Sequence, residues 1–498
     1  MKALRVGLAA LISLVLVASV VGLLVFGQRR APALDSAAPV PTTVAVPPGA
    51  AMVVCPSELK VPGEGADEVS YDPRFDPYPS EMTSVLRVVV SGPAGGELST
   101  IDGTKTDSIA GPLGLLSNSA GADPVLVTAR SAEDELAYAT GGVVIHANDK
   151  DLRSLAGSSC VLPEAQVYLV GGSTQTGSST RLLLTNPGLT AVAADIALWD
   201  GAGPVDAVGT SGLVVPPQSQ RAVLLEGIVP DASRLAVRVT ATGGELAVSM
   251  QHSRIEALTP AGVDMVVPGS APALQQVVPG VSVSESKYTD PDTAVVRVLN
   301  PDKTAAVVSV VLWGAKGPVS LPGLDEARIA AGTVTDLSLA GLEAGVYAVT
   351  ITSDQPIVAS ALAVRHTGPD KPREFAWSPA QAGGSHGYLT MPMAGVKARV
   401  SVATEQASKV KLEAVGANGP VGQAKTIELE AGTMAVVDPA SLGPAEEIEA
   451  IEYTVEGAGE VAIAMVMSLA DAGGELITVL VPVGTREAGV NIDVYPAH

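Results

Sequence analysis

Aromatic side chains are scarce in this chain, with Trp, Tyr and Phe together making up 3% of 498 residues. Sugar-stacking faces draw on such rings, so the composition argues against a broad carbohydrate platform. Basic residues are also few, 30 Lys and Arg against 52 Asp and Glu, for a formal net charge of -22. Phosphate backbones are repelled by such a chain, and nucleic acid is excluded as a partner. Motifs of catalysis are missing: there is no HExxH, no P-loop and no GxGxxG opening a helix. His146, His252, His366, His386 and His498 have no Cys, His or carboxylate beside them at metal-ligand spacing. Carboxylate runs such as Glu446-Glu447-Ile448-Glu449 read as a solvated face, and Asp290 with Asp292 lacks the Gly-anchored loop of a Ca²⁺ site. No catalytic residue, cofactor or metal ligand is therefore nominated.

What is present is repetition. Residues 182–205, LLLTNPGLTAVAADIALWDGAGPV, return as VVRVLNPDKTAAVVSVVLWGAKGPV over 295–319. Asn186 and Pro187 match Asn300 and Pro301, and Trp199 matches Trp313, at one constant offset, which marks a duplicated domain. A worn further copy keeps Gly419, Pro420 and Val421, with Val415 near the tryptophan position. Residues 124–145 resemble 235–253 more weakly, a sign of the same strand grammar.

Period-two alternation runs through the copies: Leu235, Val237 and Val239; Tyr347, Val349 and Ile351; Ile451, Tyr453 and Val455. Each reads as a half-buried strand. A turn follows at Gly243-Gly244, at Asp354-Gln355-Pro356 or after Gly457, then a second apolar strand, which together predict a hairpin. The expected fold is all-β, with tandem immunoglobulin-like or fibronectin-like sandwiches after one N-terminal transmembrane helix. The expected organisation is a signal-anchor helix over 1–30, a Pro/Ala-rich spacer over 31–54 and an irregular β domain over 55–163. Sandwich copies are expected over 164–272 and 273–384, with a diverged third over 385–498.

Residues 6–27 carry no charge and are long enough to cross a hydrocarbon core as a helix. A cleaved signal peptide is the other reading, since Ala31, Ala33 and Ala37 offer small residues. Cys55 and Cys160 are the only cysteines. In an exported chain such a pair points to a disulfide, worth roughly 4 to 5 kcal/mol in the chain-entropy model, against two separate buried thiols. Asn-Pro at Asn186 and Asn300 predicts turn closure, the Asn side chain bonding local backbone. Trp199 and Trp313 are expected to plug the ends of sandwich cores, with each indole N–H on a loop carbonyl.

Cys55-Pro56 after a Pro-rich spacer, SSCVLPEAQVYLVGGS around Cys160, and Thr-Arg-Leu-Leu-Leu-Thr-Asn-Pro-Gly up to Gly188 resemble the actinobacterial DUF5719 family. Val167 and Tyr168 stand where that family is expected to have Trp. The resemblance implies an exported envelope protein of unknown reaction, encoded near a large membrane glycosyltransferase and mannose-phosphate enzymes. The expectation is a single-pass membrane protein, mostly extracytoplasmic, acting as a scaffold or interaction module rather than an enzyme. A membrane glycosyltransferase is its most concrete partner. Direct binding of envelope polysaccharide is the alternative and an envelope hydrolase a weaker third. An exposed cleft holding Trp199 or Trp313 among polar groups would favour glycan binding, and buried rings would oppose it.

Overall fold

The computed structural model describes residues 11, 13–24, 42–45, 50–61, 81–111, 113–131, 137–148, 150–290, 292–366, 368, 371–391, 393, 395–457, 459–483 and 491–494. Residues 13–24 are helical and exposed. Among the described residues no helix is long and apolar enough to cross a membrane, and the rest of the span expected over 6–27 lies outside them. The chain divides into two units, 1–47 with 489–498, and 48–488. Within the smaller unit Thr42–Ala45 pairs antiparallel with Asn491–Val494, so part of the spacer is a strand. Most of the polar stretch 58–78 lies outside the described residues.

The larger unit is all-β, and one strand order recurs in it four times. It is plainest over 166–266, where Gln166–Val170, Ala236–Thr242, Val192–Trp199 and Pro204–Val205 form one sheet, in that order. Ser219–Leu224, Ser178–Asn186, Ala247–Glu256 and Thr259–Val266 form the other. Both sheets turn apolar side chains to one core: Leu169, Ile196 and Val237 from the first, Leu182, Leu184 and Met250 from the second. Sequence periodicity and burial agree, each Val or Leu so placed contributing about 1.5–3 kcal/mol. The same order links the sheets over 51–159, 273–379 and 386–480. We call the four sheet pairs sandwiches I to IV in chain order. Sandwich I, expected to be irregular, follows that order too; its strands are harder to read because Ser and Gly interrupt them, as in Ser154–Ser159.

The predicted hairpins are not hairpins. Ala236–Thr242 and Ala247–Glu256 flank the Gly243-Gly244 turn yet lie in opposite sheets, so the turn carries the chain across the edge of the core. In sandwich III the corresponding pair is one continuous strand, Gly345–His366, which joins both sheets through Asp354-Gln355-Pro356. Alternation in sequence gives the buried face of each strand but not its neighbour, and both arrangements bury the same residues.

The last strands of the four sandwiches meet in a closed circuit. Ser154–Ser159 packs on Thr259–Val266, which packs on Arg373–Pro379; that strand packs on Leu476–Leu480, which returns to Ser154–Ser159. Sandwich I thus touches sandwich IV, and the repeat closes on itself.

Candidate functional site: a buried polar hub and its clefts

Asp264 stands at the centre of this circuit. Along Thr259–Val266 the alternation sends Val263 and Met265 into the core of sandwich I and leaves Asp264 on the opposite face, fully buried. Its carboxylate accepts the backbone N–H of Gly157 at 3.1 Å, the N–H of Trp377 at 2.7 Å and the Thr478 hydroxyl at 3.3 Å. Those donors come from sandwiches I, III and IV. Burial pushes the Asp264 carboxyl up to about 8, against the pull of these N–H groups.

A second acid lies close by. Glu374 Oε1 is 2.5 Å from Ser154 Oγ, which is also 2.6 Å from the carbonyl of Val263. One hydroxyl proton cannot serve both acceptors. Either pair is satisfied at once if Ser154 donates to Val263 and protonated Glu374 donates to Ser154. Burial, with the Asp264 charge adding to it, holds the Glu374 acid well above the usual carboxylate range, and its Oε2 has no partner. The Ser154 contact thus calls for a protonated Glu374, with Arg153 nearby bonded to Asp471 of sandwich IV at 2.6 Å. Packing is tight: a Cβ at Gly157 would come within 2.3 Å of Thr478 Oγ1.

Cavities lie at the junctions between the sandwiches. Between sandwiches II and III, a polar cleft of about 390 Å³ is lined by the Gly172–Ser178 loop, His252, Arg254, Arg297 and Arg373. Its charges are spent internally: Arg297 holds Asp336 at 2.7 Å and donates to the Gly172 carbonyl, while Asp292 takes both Arg254 and Arg373. His252 Nδ1 accepts the Trp377 indole N–H at 3.3 Å, and burial keeps the imidazole well below its usual range. A second cavity of about 230 Å³ is walled by the four equivalent stretches that follow the last strands, including Val161, Pro268, Ala380 and Pro482. The third, about 190 Å³, lies between sandwiches III and IV and is lined by Trp313, Thr350, Glu405, Gln406 and Glu460.

The residues singled out in the sequence separate by role. Cys55 and Cys160 are disulfide-bonded, a link across sandwich I beside the second cavity. Asn186 Nδ2 reaches the carbonyls of Thr190, Val215 and Pro216, and Asn300 Nδ2 those of Thr304, Ile329 and Ala330. Pro187 and Pro301 continue the chain out of these anchored strand ends. Trp199 does not plug its own core; it is 7% exposed and packs between sandwiches with Leu299, Val334 and Val358. Trp313 gives its N–H to the Thr350 hydroxyl at 3.1 Å, a strand side chain rather than a loop carbonyl. His252 and His366 share a sequence offset, but the first is buried and the second exposed. Asp264 and Glu374 drew no notice in the sequence; isolated acids inside apolar last strands, VDMV and REFAW, were the available signal. His386 and Glu452 are 2.9 Å apart on a partly exposed sheet face, with the Tyr388 hydroxyl on the same carboxylate. Among the described residues no group of three or more His, Cys, Asp or Glu side chains could hold a metal ion.

The profile of DUF5719, a family of unknown function, matches residues 116–440. The chain belongs to the DUF5719 family. The matched DUF5719 region contains Asp264 and Glu374 but ends before Thr478, and it begins after Cys55. No curated protein matches the chain. Among solved structures, Thermotoga maritima 1070 is 13% identical over 22% of this chain and 93% of its own, with a TM-score of 0.18. The native conformation of Escherichia coli alpha-2-macroglobulin is 10% identical over 91% of this chain and 31% of its own, with a TM-score of 0.12. The chain spans about a third of that second protein.

Proposed function

We propose that this DUF5719 protein is a membrane-tethered, extracytoplasmic scaffold of the actinobacterial envelope, its four sandwiches being tandem domains of the immunoglobulin or fibronectin type. The observation that carries the reading is Asp264, one side chain bonded to three sandwiches besides its own. Domains joined only by linkers move independently. Domains pinned through a buried polar centre present their outer faces at fixed angles, which suits a platform for a partner. The disulfide supports an oxidising compartment. The uncharged run over 6–27 supports the tether. A membrane glycosyltransferase is the partner class, by the family resemblance, and no reaction is assigned to the chain itself.

The test is crosslinking and pull-down of tagged full-length protein from native membranes, beside a form lacking residues 6–27. Recovery of one membrane glycosyltransferase with the full-length form alone supports the scaffold. Equal recovery with both forms removes the tether from the reading, and recovery of no protein partner rejects it.

A further inference from the structure

We propose that the cleft between sandwiches III and IV binds a neutral sugar ring against Trp313. The chain has three tryptophans. Trp199 and Trp377 are buried, at 7% and 2% exposure, and cannot offer a ring to a ligand. Trp313 is partly exposed and forms a wall of a cavity of about 190 Å³, room for one small ring. Mixed walls of this kind, one apolar plate with a few polar groups, are usual in small-ligand sites.

The plate is set before a ligand arrives. The indole N–H is tied to Thr350 Oγ1 at 3.1 Å, and Gly432, at φ +65°, lies so close that a Cβ there would fall 2.6 Å from the ring. A ring locked in this way loses little freedom on binding. The facing polar groups come from sandwich IV: Glu405, Gln406 and Glu460. Glu405 is itself steadied, its Oε1 accepting the Gln275 amide at 2.5 Å. Carboxylate acceptors take hydroxyl donors in charge-assisted bonds, which is what a sugar supplies. No Lys, Arg or His lines the cleft among the described residues. Uronates and sugar phosphates are therefore repelled by two carboxylates with no compensating cation, so the fitting class is the neutral pyranose. This inference is independent of the scaffold reading, since a sugar site could sit on a platform or on a free-standing protein.

The test uses the full chain in a zwitterionic detergent without sugar headgroups, with saturation-transfer NMR against methyl glycosides of mannose, glucose, galactose and N-acetylglucosamine. Glucuronic acid is the anionic comparison. At least one neutral glycoside should bind with a Kd on the order of millimolar. Trp313→Ala and, separately, the exposed change Glu460→Ala should each weaken it by at least about tenfold, and Trp199→Phe should leave it unchanged. Thermal unfolding of each variant shows whether the fold is kept, and Glu460→Ala serves if Trp313→Ala does not fold. Binding by none of the neutral glycosides overturns the proposal, as does binding that survives Glu460→Ala and Trp313→Ala or glucuronic acid binding as tightly. The pull-down outcome is unaffected in either case.

Discussion

The carboxylate of Asp264 accepts the backbone N–H of Trp377 at 2.7 Å, across the boundary between sandwiches II and III. Gly157 and Thr478 approach the other oxygen of the same group from sandwiches I and IV. A buried polar group of this kind is costly unless fully bonded, and here the bonds require all four sandwiches to be in place. Assembly of the ring and satisfaction of Asp264 are thus one event.

The hub should make stability depend on pH. Asp264 titrates near 8 in the folded chain, far above an unfolded aspartate at about 4. The folded state then keeps a proton that the unfolded state gives up. The resulting stability is full below about pH 4 and is lost as pH rises through 8, with a slope of up to about 1.4 kcal/mol per unit. Glu374 of sandwich III acts in the same direction. His252, opposite Asp264 on the neighbouring strand, is kept neutral by burial whereas an unfolded histidine binds a proton below about pH 6.5, so it opposes the trend below that pH, and Arg153 of sandwich I is paired with Asp471. Leu476–Leu480 of sandwich IV brings no ionisable group. Urea unfolding midpoints should fall between about pH 6.5 and 8, above the range where His252 opposes the trend, and Asp264→Asn should flatten the fall. A level profile in the parent chain over that range would rule out a protonated hub.

Gly157→Ala should loosen the junction of sandwiches I and IV. The added methyl would sit 2.3 Å from Thr478 Oγ1, and overpacking a close-packed site costs about 1–3 kcal/mol. Thr478→Ala gives room back while losing only one weak bond to Asp264. The double variant should therefore be more stable than the sum of the two singles predicts, by about 1 kcal/mol in a double-mutant cycle. Strict additivity would mean that the two residues do not press on one another.

Reduction of the disulfide should weaken sandwich I. Cys55 and Cys160 close a sequence separation of 105 residues, and loss of such a native link costs about 2–5 kcal/mol. Calorimetry with and without reductant measures it. The Cys55→Ser, Cys160→Ser double variant should match the reduced chain and no longer respond to reductant.

Local features were legible in the sequence and convergent ones were not. Asn186 and Asn300 could be placed because each bonds carbonyls on its own turn or within 30 positions. The strand faces could be read from Val237 and Val239, since period two is a property of neighbours along the chain. Asp264 could not be, because Gly157, Trp377 and Thr478 lie 107, 113 and 214 positions away. Trp199 and Trp313 make the same point from the other side. They occupy the same place in the repeat, yet one is covered by the next sandwich and the other lines a cleft, since what meets each sandwich differs around the ring.

The repeated Asn allows a test of whether equivalent residues do equivalent work. Asn186 points its amide nitrogen at three backbone carbonyls and takes the Gly188 N–H on its oxygen at 2.9 Å; Asn300 does the same, with Asp302 as the donor at 3.1 Å. Removing either amide strands buried acceptors, so Asn186→Ala and Asn300→Ala should each cost about 1–3 kcal/mol. Asn186→Asp and Asn300→Asp should cost more at pH 7, because a carboxylate oxygen then faces carbonyl oxygens with no proton between them. That excess should shrink at pH 4, where the acid can donate one bond, since the folded state raises the new carboxyl's pKa and favours the protonated form. The two sites lie in different sandwiches, so the paired Ala changes should add within about 0.5 kcal/mol. Unfolding of the four single variants and the paired Ala variant at both pH values measures all of this. An Asp penalty that does not depend on pH would mean that the side chain has turned out of its carbonyl cage.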